Sequence, residues 1–173
     1  AGRLMIARIR VLLVDDHAVV RQGYRRLIEM HQDIDVVAEA KDAASGYQAF
    51  KTANPDVVVV DISMPGRGGI DLVRQIRLKD PDARILIFTM HASATYAQQA
   101  FRAGARGYVT KSSPPDVLVS AIRSVHAGRP ALCAEINEVI AANRLCGDCG
   151  DNAERALRAI DSKSYQGAPV SRP

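Results

Sequence analysis

The chain has 173 residues, of which 47% are hydrophobic and 24% charged, with a formal net charge of +4 at pH 7. This composition excludes a disordered or fibrous protein and fits one well-buried domain with an additional segment. Its Lys and Arg residues form no stripe with interleaved aromatic residues, so charge does not predict nucleic-acid binding. No apolar run approaches the roughly 20 residues that cross a bilayer, and no secretory leader is recognisable, so we expect a cytoplasmic protein without a membrane segment.

Five apolar runs, each followed by an amphipathic segment, lie between residues 8 and 128. Continuous apolar stretches predict strands that are buried on both faces over 8–14, 35–40, 57–60, 84–89 and 107–110. Apolar residues at helical spacing predict helices over 18–30, 43–53, 70–78, 94–103 and 115–127. Because short connections and right-handed crossovers govern such alternation, we predict an α/β fold. It is a doubly wound, five-stranded parallel sheet of order 2-1-3-4-5.

Polar side chains end four of the predicted strands. Asp15 and Asp16 follow the first strand, Asp61 the third, Thr89 ends the fourth, and Lys111 follows the fifth. In the predicted order, strands one and three are neighbours at the switch point where open α/β sheets bind their ligands. We therefore expect the three carboxylates to converge in one pocket.

Three clustered carboxylates repel one another unless they share a proton or a cation. Mg²⁺ binds through one or two carboxylates together with waters and phosphate oxygens, so the set predicts magnesium-assisted phosphoryl transfer. Asp61 is the candidate nucleophile. Thr89 offers a hydroxyl and Lys111 an ammonium group to the incoming phosphoryl oxygens.

Several motifs resemble the receiver domain of bacterial two-component response regulators. They are Val-Asp-Asp-His at 14–17, Val-Val-Asp-Ile-Ser-Met-Pro-Gly at 59–66 and Gly-Tyr-Val-Thr-Lys at 107–111. Two further stretches, 15–23 and 121–128, resemble the subfamily that carries a LuxR-type helix-turn-helix output domain. The resemblance implies a flavodoxin-like receiver in signal transduction and transcription regulation, a phosphoprotein rather than an enzyme with a separate substrate. Asp61 would accept its phosphoryl group from a sensor histidine kinase.

The same resemblance implies a metal site and a switch. The magnesium site would comprise Asp15, Asp16, Asp61 and Ser63: Asp16, Asp61 and the backbone carbonyl of Ser63 would ligate Mg²⁺, and Asp15 would act mainly through water. Thr89 and Lys111 would contact the phosphoryl group.

The resemblance also assigns roles to neighbouring residues. Thr89 and Tyr108 would form the switch pair, and Ser63 and His91 would tune the lifetime of the phosphorylated state. One departure is Ser112, which follows Lys111 where many receivers have a cis proline, so the geometry of that peptide bond stays open.

A second hypothesis comes from the enzyme class. Haloacid-dehalogenase-like phosphatases and phosphotransferases also follow an apolar strand with a nucleophilic aspartate. They usually place a second acid two residues further on, where this chain has Ser63. Multiple turnover of an organic phosphate would favour this alternative.

The residues after the receiver form a different segment. We predict a receiver domain over 5–128 and a helical linker and tail over 129–173, with helices over 131–145 and 152–160. Residues 157–165 resemble the start of the output domain, but a polar tail follows, so the output domain is expected to be missing or truncated. Contact with DNA is then expected only through an output domain that this chain does not show.

Other interpretations of this segment stay open. One alternative to a truncated transcriptional regulator is a stand-alone phosphorelay or protein-binding receiver that does not bind DNA. The predicted helix over 115–127 is a candidate homodimer surface, although its pattern is first of all that of a core-packing helix.

Cys146 and Cys149 form a Cys-x-x-Cys pair. A zinc site needs a second pair of ligands, and Cys133 is the one further cysteine in the sequence.

Overall fold

The computed structural model describes residues 7–66 and 68–145, which form one parallel sheet with helices on both faces. In chain order the elements are β1 (Ile9–Val14), α1 (Ala18–Glu29), β2 (Ile34–Ala40), α2 (Ala43–Ala53), β3 (Val57–Val60), α3 (Gly68–Lys79), β4 (Ile85–Thr89), α4 (Ala94–Ala103), β5 (Gly107–Thr110), α5 (Pro115–His126), β6 (Ala131–Leu132) and α6 (Ala134–Leu145). None of these helices has the length and apolarity that a bilayer crossing requires, within the described part of the chain.

The strand order is β2-β1-β3-β4-β5-β6, with every neighbouring pair parallel. This confirms the predicted order of the first five strands and adds a sixth strand, β6, on the outer side of β5. The sequence pattern places Ala131 and Leu132 at the start of a helix, and that boundary is wrong. Both residues pair with Gly107 and Tyr108 of β5, and α6 begins only at Ala134. A two-residue strand is too short to carry a periodic signal.

The central strands form the core. All four valines of β3 are at most 1% exposed, and the apolar residues of β4 are at most 4% exposed. Branched Cβ atoms restrict the side-chain rotamers of valine and suit the extended backbone, which is why an uninterrupted valine run forms a strand here. A strand that is covered on both faces leaves only its ends accessible, and so its carboxyl end is where polar groups emerge.

The core continues past residue 128. Ile136 is fully buried and Ile140 is 5% exposed, and both belong to the same apolar cluster as the central strands. The segment after α5 is therefore folded onto the sheet at least through Ile140. The predicted helix over 152–160, the cysteines at 146 and 149 and the tail lie outside the described residues.

Gly69 lets the start of α3 approach the end of β3. A Cβ atom at this position would lie 2.3 Å from the carbonyl oxygen of Asp61 and 2.8 Å from the Cα atom of Ile62. Contacts of that length with backbone atoms are not tolerated, so the backbone of the Asp61 segment would have to move. Gly23 on α1 offers the opposite case, because a Cβ atom there would meet nothing within 4 Å.

Gly69→Ala is expected to lower the free energy of unfolding by about 1–3 kcal/mol because of overpacking against backbone. Gly23→Ala, the matched control, is expected to raise it by about 0.5–1 kcal/mol because alanine loses less backbone entropy in a helix. Urea unfolding of both variants measures the difference. Equal effects of the two substitutions would contradict the close approach of α3 to Asp61.

Candidate functional site

Asp15 and Asp61 lie side by side at the carboxyl edge of the sheet. Val14 and Val60 are paired in register, and the N–H of Asp61 donates a hydrogen bond to the carbonyl of Val14 at 2.9 Å. Both carboxylates are almost fully enclosed, with residue exposures of 3% and 2%. The adjacency of strands one and three thus brings these acids together, as the strand order led us to expect.

Lys111 bridges the two acids. Its Nζ atom lies 2.5 Å from Asp15 Oδ2 and 2.8 Å from Asp61 Oδ2, and its side chain is 5% exposed. The backbone N–H of Lys111 donates to the carbonyl of Thr89 at 2.8 Å, which fixes the start of the lysine side chain at the end of β4. One ammonium group therefore compensates two buried carboxylates.

The pKa values of this ion pair are displaced in opposite directions. Burial by itself raises the pKa of Asp61, but hydrogen bonds from Lys111 and from the Ser63 N–H outweigh it, and the pKa is lowered. Burial likewise lowers the pKa of Lys111, but its hydrogen bonds to Asp15 and Asp61 outweigh it, and the pKa is raised. Asp61 is therefore an anion and Lys111 a cation at neutral pH.

These directions determine how stability depends on pH. The contribution of Asp61 is present above its ordinary pKa of about 3.9 and is lost as the pH falls through the lower folded-state value. The contribution of Lys111 is present below its ordinary pKa of about 10.4 and is lost only as the pH rises through the raised value. The ion pair is thus intact across the neutral range.

Asp16 and His17 form the outer side of the acidic cluster. Ligand-type atoms of these two residues, Asp15 and Asp61 all lie within 4.8 Å of one another. Asp16 Oδ1 is buried and accepts no hydrogen bond, although His17 Nδ1 lies 3.0 Å away. The N–H of His17 donates to Asp15 Oδ1 at 2.7 Å. Hard carboxylate oxygens with one unsatisfied oxygen among them are a donor set that suits a divalent cation.

Two neighbours of Asp15 have no assigned role in the sequence interpretation. His17 directly precedes α1 and its side chain is largely exposed, and its Nδ1 atom lies 3.0 Å from Asp16 Oδ1 and 3.5 Å from Asp15 Oδ1. Its position directly after the acid pair in the sequence is the signal that could have found this contact. Arg21 donates to the backbone carbonyl of Asp15 at 2.6 Å and to Glu39 Oε1 at 3.1 Å. It holds the main chain of the acid pair from α1, a contact across elements that local spacing does not reveal.

Ser63 and Thr89 extend the site on the side opposite Asp16. The N–H of Ser63 donates to Asp61 Oδ1 at 2.8 Å, and its hydroxyl lies 3.2 Å from the hydroxyl of Thr89. The N–H of His91 in turn donates to Thr89 Oγ1 at 3.4 Å. A chain of hydrogen bonds therefore runs from Asp61 through Ser63 to the end of β4.

Tyr108 contacts the same segment from β5. Its side chain is fully buried, and its hydroxyl donates to the backbone carbonyl of His91 at 2.6 Å. Burial, followed by the neighbouring Cys133 and Asp61, raises the pKa of Tyr108, so the phenol stays protonated and remains a donor. The imidazole of His91 lies against the ring of Tyr96, with the ring centroids 5.2 Å apart.

The peptide bond after Lys111 is trans, because none of the peptide bonds between described residues is cis. The sequence alone does not decide between cis and trans here, because Ser112 occupies the position where many receivers have a cis proline.

The response regulator receiver domain family matches this chain over residues 11–123, and the chain belongs to that family. It is similar to the solved structure of a two-component response regulator of the LuxR family from an Aurantimonas species. The two share 52% sequence identity with a TM-score of 0.78, over 80% of this chain and 99% of the other. This likeness confirms the flavodoxin-like receiver fold and the LuxR-type subfamily.

Two curated relatives are also regulatory proteins by name. The response regulator UvrY from Escherichia coli is 39% identical over 137 residues, which are 79% of this chain and 63% of the relative. The oxygen regulatory protein NreC from Staphylococcus epidermidis is 38% identical over 121 residues, which are 69% of this chain and 56% of the relative. The chain thus spans about three fifths of the length of these relatives.

Lys111→Met is expected to raise the pKa of Asp61 above its ordinary value, because burial would then act without the compensating ammonium group. Loss of the cation is also expected to lower the free energy of unfolding by about 3–5 kcal/mol, the usual cost of breaking a buried pair. A ¹³C NMR titration of the carboxyl groups measures the pKa, and urea unfolding measures the stability.

Lys51→Met serves as the control, because Lys51 lies over the ring of Tyr47 and contacts neither acid. An unchanged Asp61 pKa in Lys111→Met would contradict the proposed balance of burial and charge.

Proposed function

We propose that this chain is the receiver part of a transcriptional response regulator in which Asp61 accepts a phosphoryl group from a sensor histidine kinase. The observation that carries the proposal is the environment of Asp61. It is a buried, ionised carboxylate with Lys111 at one oxygen and the Ser63 N–H at the other. Phosphorylation would control transcription through an output domain, as we expect for a receiver that is similar to the LuxR family. A cytoplasmic location belongs to the same proposal, because an ATP-dependent kinase is the donor.

The phosphoryl transfer follows from the charges at the site. An oxygen of Asp61 attacks the phosphorus atom and forms an acyl phosphate, while the donor leaves with the electron pair of the broken bond. The lowered pKa keeps Asp61 in its nucleophilic form. Lys111 is already within hydrogen-bonding distance of Asp61 Oδ2, so its ammonium group is available to a phosphoryl oxygen as negative charge accumulates there.

The acidic cluster fits a magnesium site. We assign the ligands to Asp16, Asp61 and the Ser63 carbonyl, with Asp15 acting mainly through water. Magnesium would supply positive charge to the phosphoryl oxygens and offset repulsion from the carboxylates. Support comes from Asp16, which belongs to this cluster and whose Oδ1 atom is buried without a hydrogen bond. Asp15 and Asp61 each also carry a hydrogen bond from Lys111, which orients their carboxylates.

A switch is proposed at Thr89 and Tyr108. A phosphoryl group on Asp61 would attract the Thr89 hydroxyl, which now lies against Ser63. Movement of Thr89 would shift the backbone to His91, and the Tyr108 hydroxyl is bonded to that backbone. Ser63 and His91 lie two residues beyond Asp61 and Thr89, and they are the proposed tuners of the lifetime of the phosphorylated state.

Partners are proposed from the same reasoning. The kinase would deliver the phosphoryl group to Asp61 at the carboxyl edge of the sheet, and contact with DNA would be made by an output domain. Self-catalysed phosphorylation and dephosphorylation are the only chemistry proposed for this chain. The surface of α5 is the proposed homodimer contact.

Acetyl phosphate with Mg²⁺ is expected to label the wild-type protein with one phosphoryl group and to leave Asp61→Asn unlabelled, because the amide oxygen of asparagine is not nucleophilic. Intact-mass spectrometry measures the label. Asp71→Asn is the matched control, because Asp71 is an exposed carboxylate that pairs with Arg74 on α3. Undiminished labelling of Asp61→Asn would refute the assignment of the acceptor.

Asp16→Asn is expected to raise the Mg²⁺ concentration for half-maximal labelling by roughly 10-fold or more, since altering even an outer partner of a metal ligand costs about 10- to 100-fold. Removal of Mg²⁺ with EDTA should abolish labelling of the wild-type protein. Asp82→Asn is the control, since Asp82 lies before β4 at the opposite edge of the sheet. The magnesium assignment fails if Asp16→Asn and Asp82→Asn require the same Mg²⁺ concentration.

A further inference from the structure

Lys111 lies in a tight turn at the end of β5. The turn runs over residues 110–113 and is closed by a hydrogen bond from the Ser113 N–H to the Thr110 carbonyl at 3.1 Å. Lys111 and Ser112 are its two central residues, so the direction in which the lysine side chain leaves the sheet depends on this turn. The hydrogen bond from the Lys111 N–H to the Thr89 carbonyl restrains this turn on one side only.

Glu135 restrains the turn on the other side. Its Oε2 atom accepts a hydrogen bond from the Thr110 hydroxyl at 2.7 Å and another from the Ser112 hydroxyl at 2.8 Å. These two residues flank Lys111 directly. Ser113 completes the arrangement, because its hydroxyl lies 3.0 Å from Thr110 Oγ1 and can donate to it. Thr110 Oγ1 also lies 3.0 Å from Ser112 Oγ and 3.7 Å from Cys133 Sγ. Each of the three hydroxyl protons then has an acceptor, and Glu135 is the acceptor for the hydroxyl of the fully buried Thr110.

The backbone of Glu135 is itself well held. β6 pairs with β5, and the N–H of Cys133 donates to the carbonyl of Tyr108 at 3.3 Å. Ile136, the next residue after Glu135, is fully buried in the core. The carboxylate of Glu135 is therefore presented to the turn by a fixed segment, although its own side chain lies at the surface.

We propose that Glu135 is a positioning residue for phosphoryl transfer: by binding the hydroxyls on both sides of Lys111, it fixes the turn from which the ammonium group reaches Asp61. This inference rests on the proposed function. It gives the segment after α5 a part in the chemistry of the acceptor site. Positioning of this kind matters because small displacements of a charged group from the reacting atoms reduce the rate of transfer.

The test is the initial rate of labelling by acetyl phosphate at saturating Mg²⁺. Glu135→Ala is expected to react about three- to tenfold more slowly than the wild-type protein, because Lys111 is less well oriented. Glu135→Gln is expected to react at nearly the wild-type rate. Both hydroxyls converge on the single oxygen Oε2, and a glutamine amide oxygen can replace it there. Glu138→Ala is the matched control, because Glu138 is exposed on the same helix and no ion pair or hydrogen bond of its side chain to a described residue is present.

A double-mutant cycle distinguishes positioning from a general loss of structure. Ser112 is exposed, so Ser112→Ala does not endanger folding, and it should slow labelling in the same direction as Glu135→Ala. The double variant should be slowed by clearly less than the two single effects combined, because the hydrogen bond between Ser112 and Glu135 is lost in either single variant. Additive losses would overturn the proposal, because they would show that the two residues act separately.

Two further results would overturn the proposal. One is a Glu135→Ala rate equal to that of Glu138→Ala. The other is an equal loss in Glu135→Ala and Glu135→Gln, which would mean that the negative charge matters and not hydrogen-bond acceptance. Absence of label at Asp61 in the wild-type protein would refute the proposed function itself, and the inference with it. Normal labelling of the wild-type protein with no effect of Glu135→Ala would refute the inference alone.

Discussion

The ammonium group of Lys111 between the carboxylates of Asp15 and Asp61 is the interaction on which the carboxyl edge of the sheet depends. Two like charges about 4 Å apart repel by roughly 4 kcal/mol at an effective dielectric constant of 20, and burial adds a desolvation cost. A cation within hydrogen-bonding distance of both acids offsets these terms. Under the proposed function, the same lysine would also contact the incoming phosphoryl group, so the interaction that stabilises the free site would prepare it for a dianionic ligand.

The rest of the fold supplies rigid supports for this ion pair. The valines of β3 fix the backbone before Asp61, and the absence of a side chain at Gly69 lets α3 lie directly against the carbonyl of that aspartate. Arg21 holds the main chain at Asp15 from α1. Such supports come from different faces of the sheet, so the position of each charged group is determined by more than one element.

The sequence predicts the parts of the molecule that carry a local signal. Buried strands are visible as apolar runs, and the acids at the ends of strands one and three are visible because parallel strands share one edge. The strand at Ala131 and Leu132 is not predictable in this way, since two residues have no period. Likewise, the bonds of Glu135 to Thr110 and Ser112, and that of Arg21 to Asp15, join elements that only the folded chain brings together. Lys111 is expected from the sequence to contact a phosphoryl group, but its hydrogen bonds to both acids become visible only in the folded structure.

The parallel sheet has a consequence for how the protein folds. Lys111 is separated by 96 positions in the sequence from Asp15 and by 50 from Asp61, so the ion pair closes very long loops. Contacts of such high sequence separation form late, because the entropy of loop closure must be overcome before they contribute. A chain in which only β1 to β3 have assembled holds the two acids together without their cation. Under the proposed function, competence to accept a phosphoryl group is therefore a property of the completely folded sheet, and an incompletely folded chain would not respond to a signal.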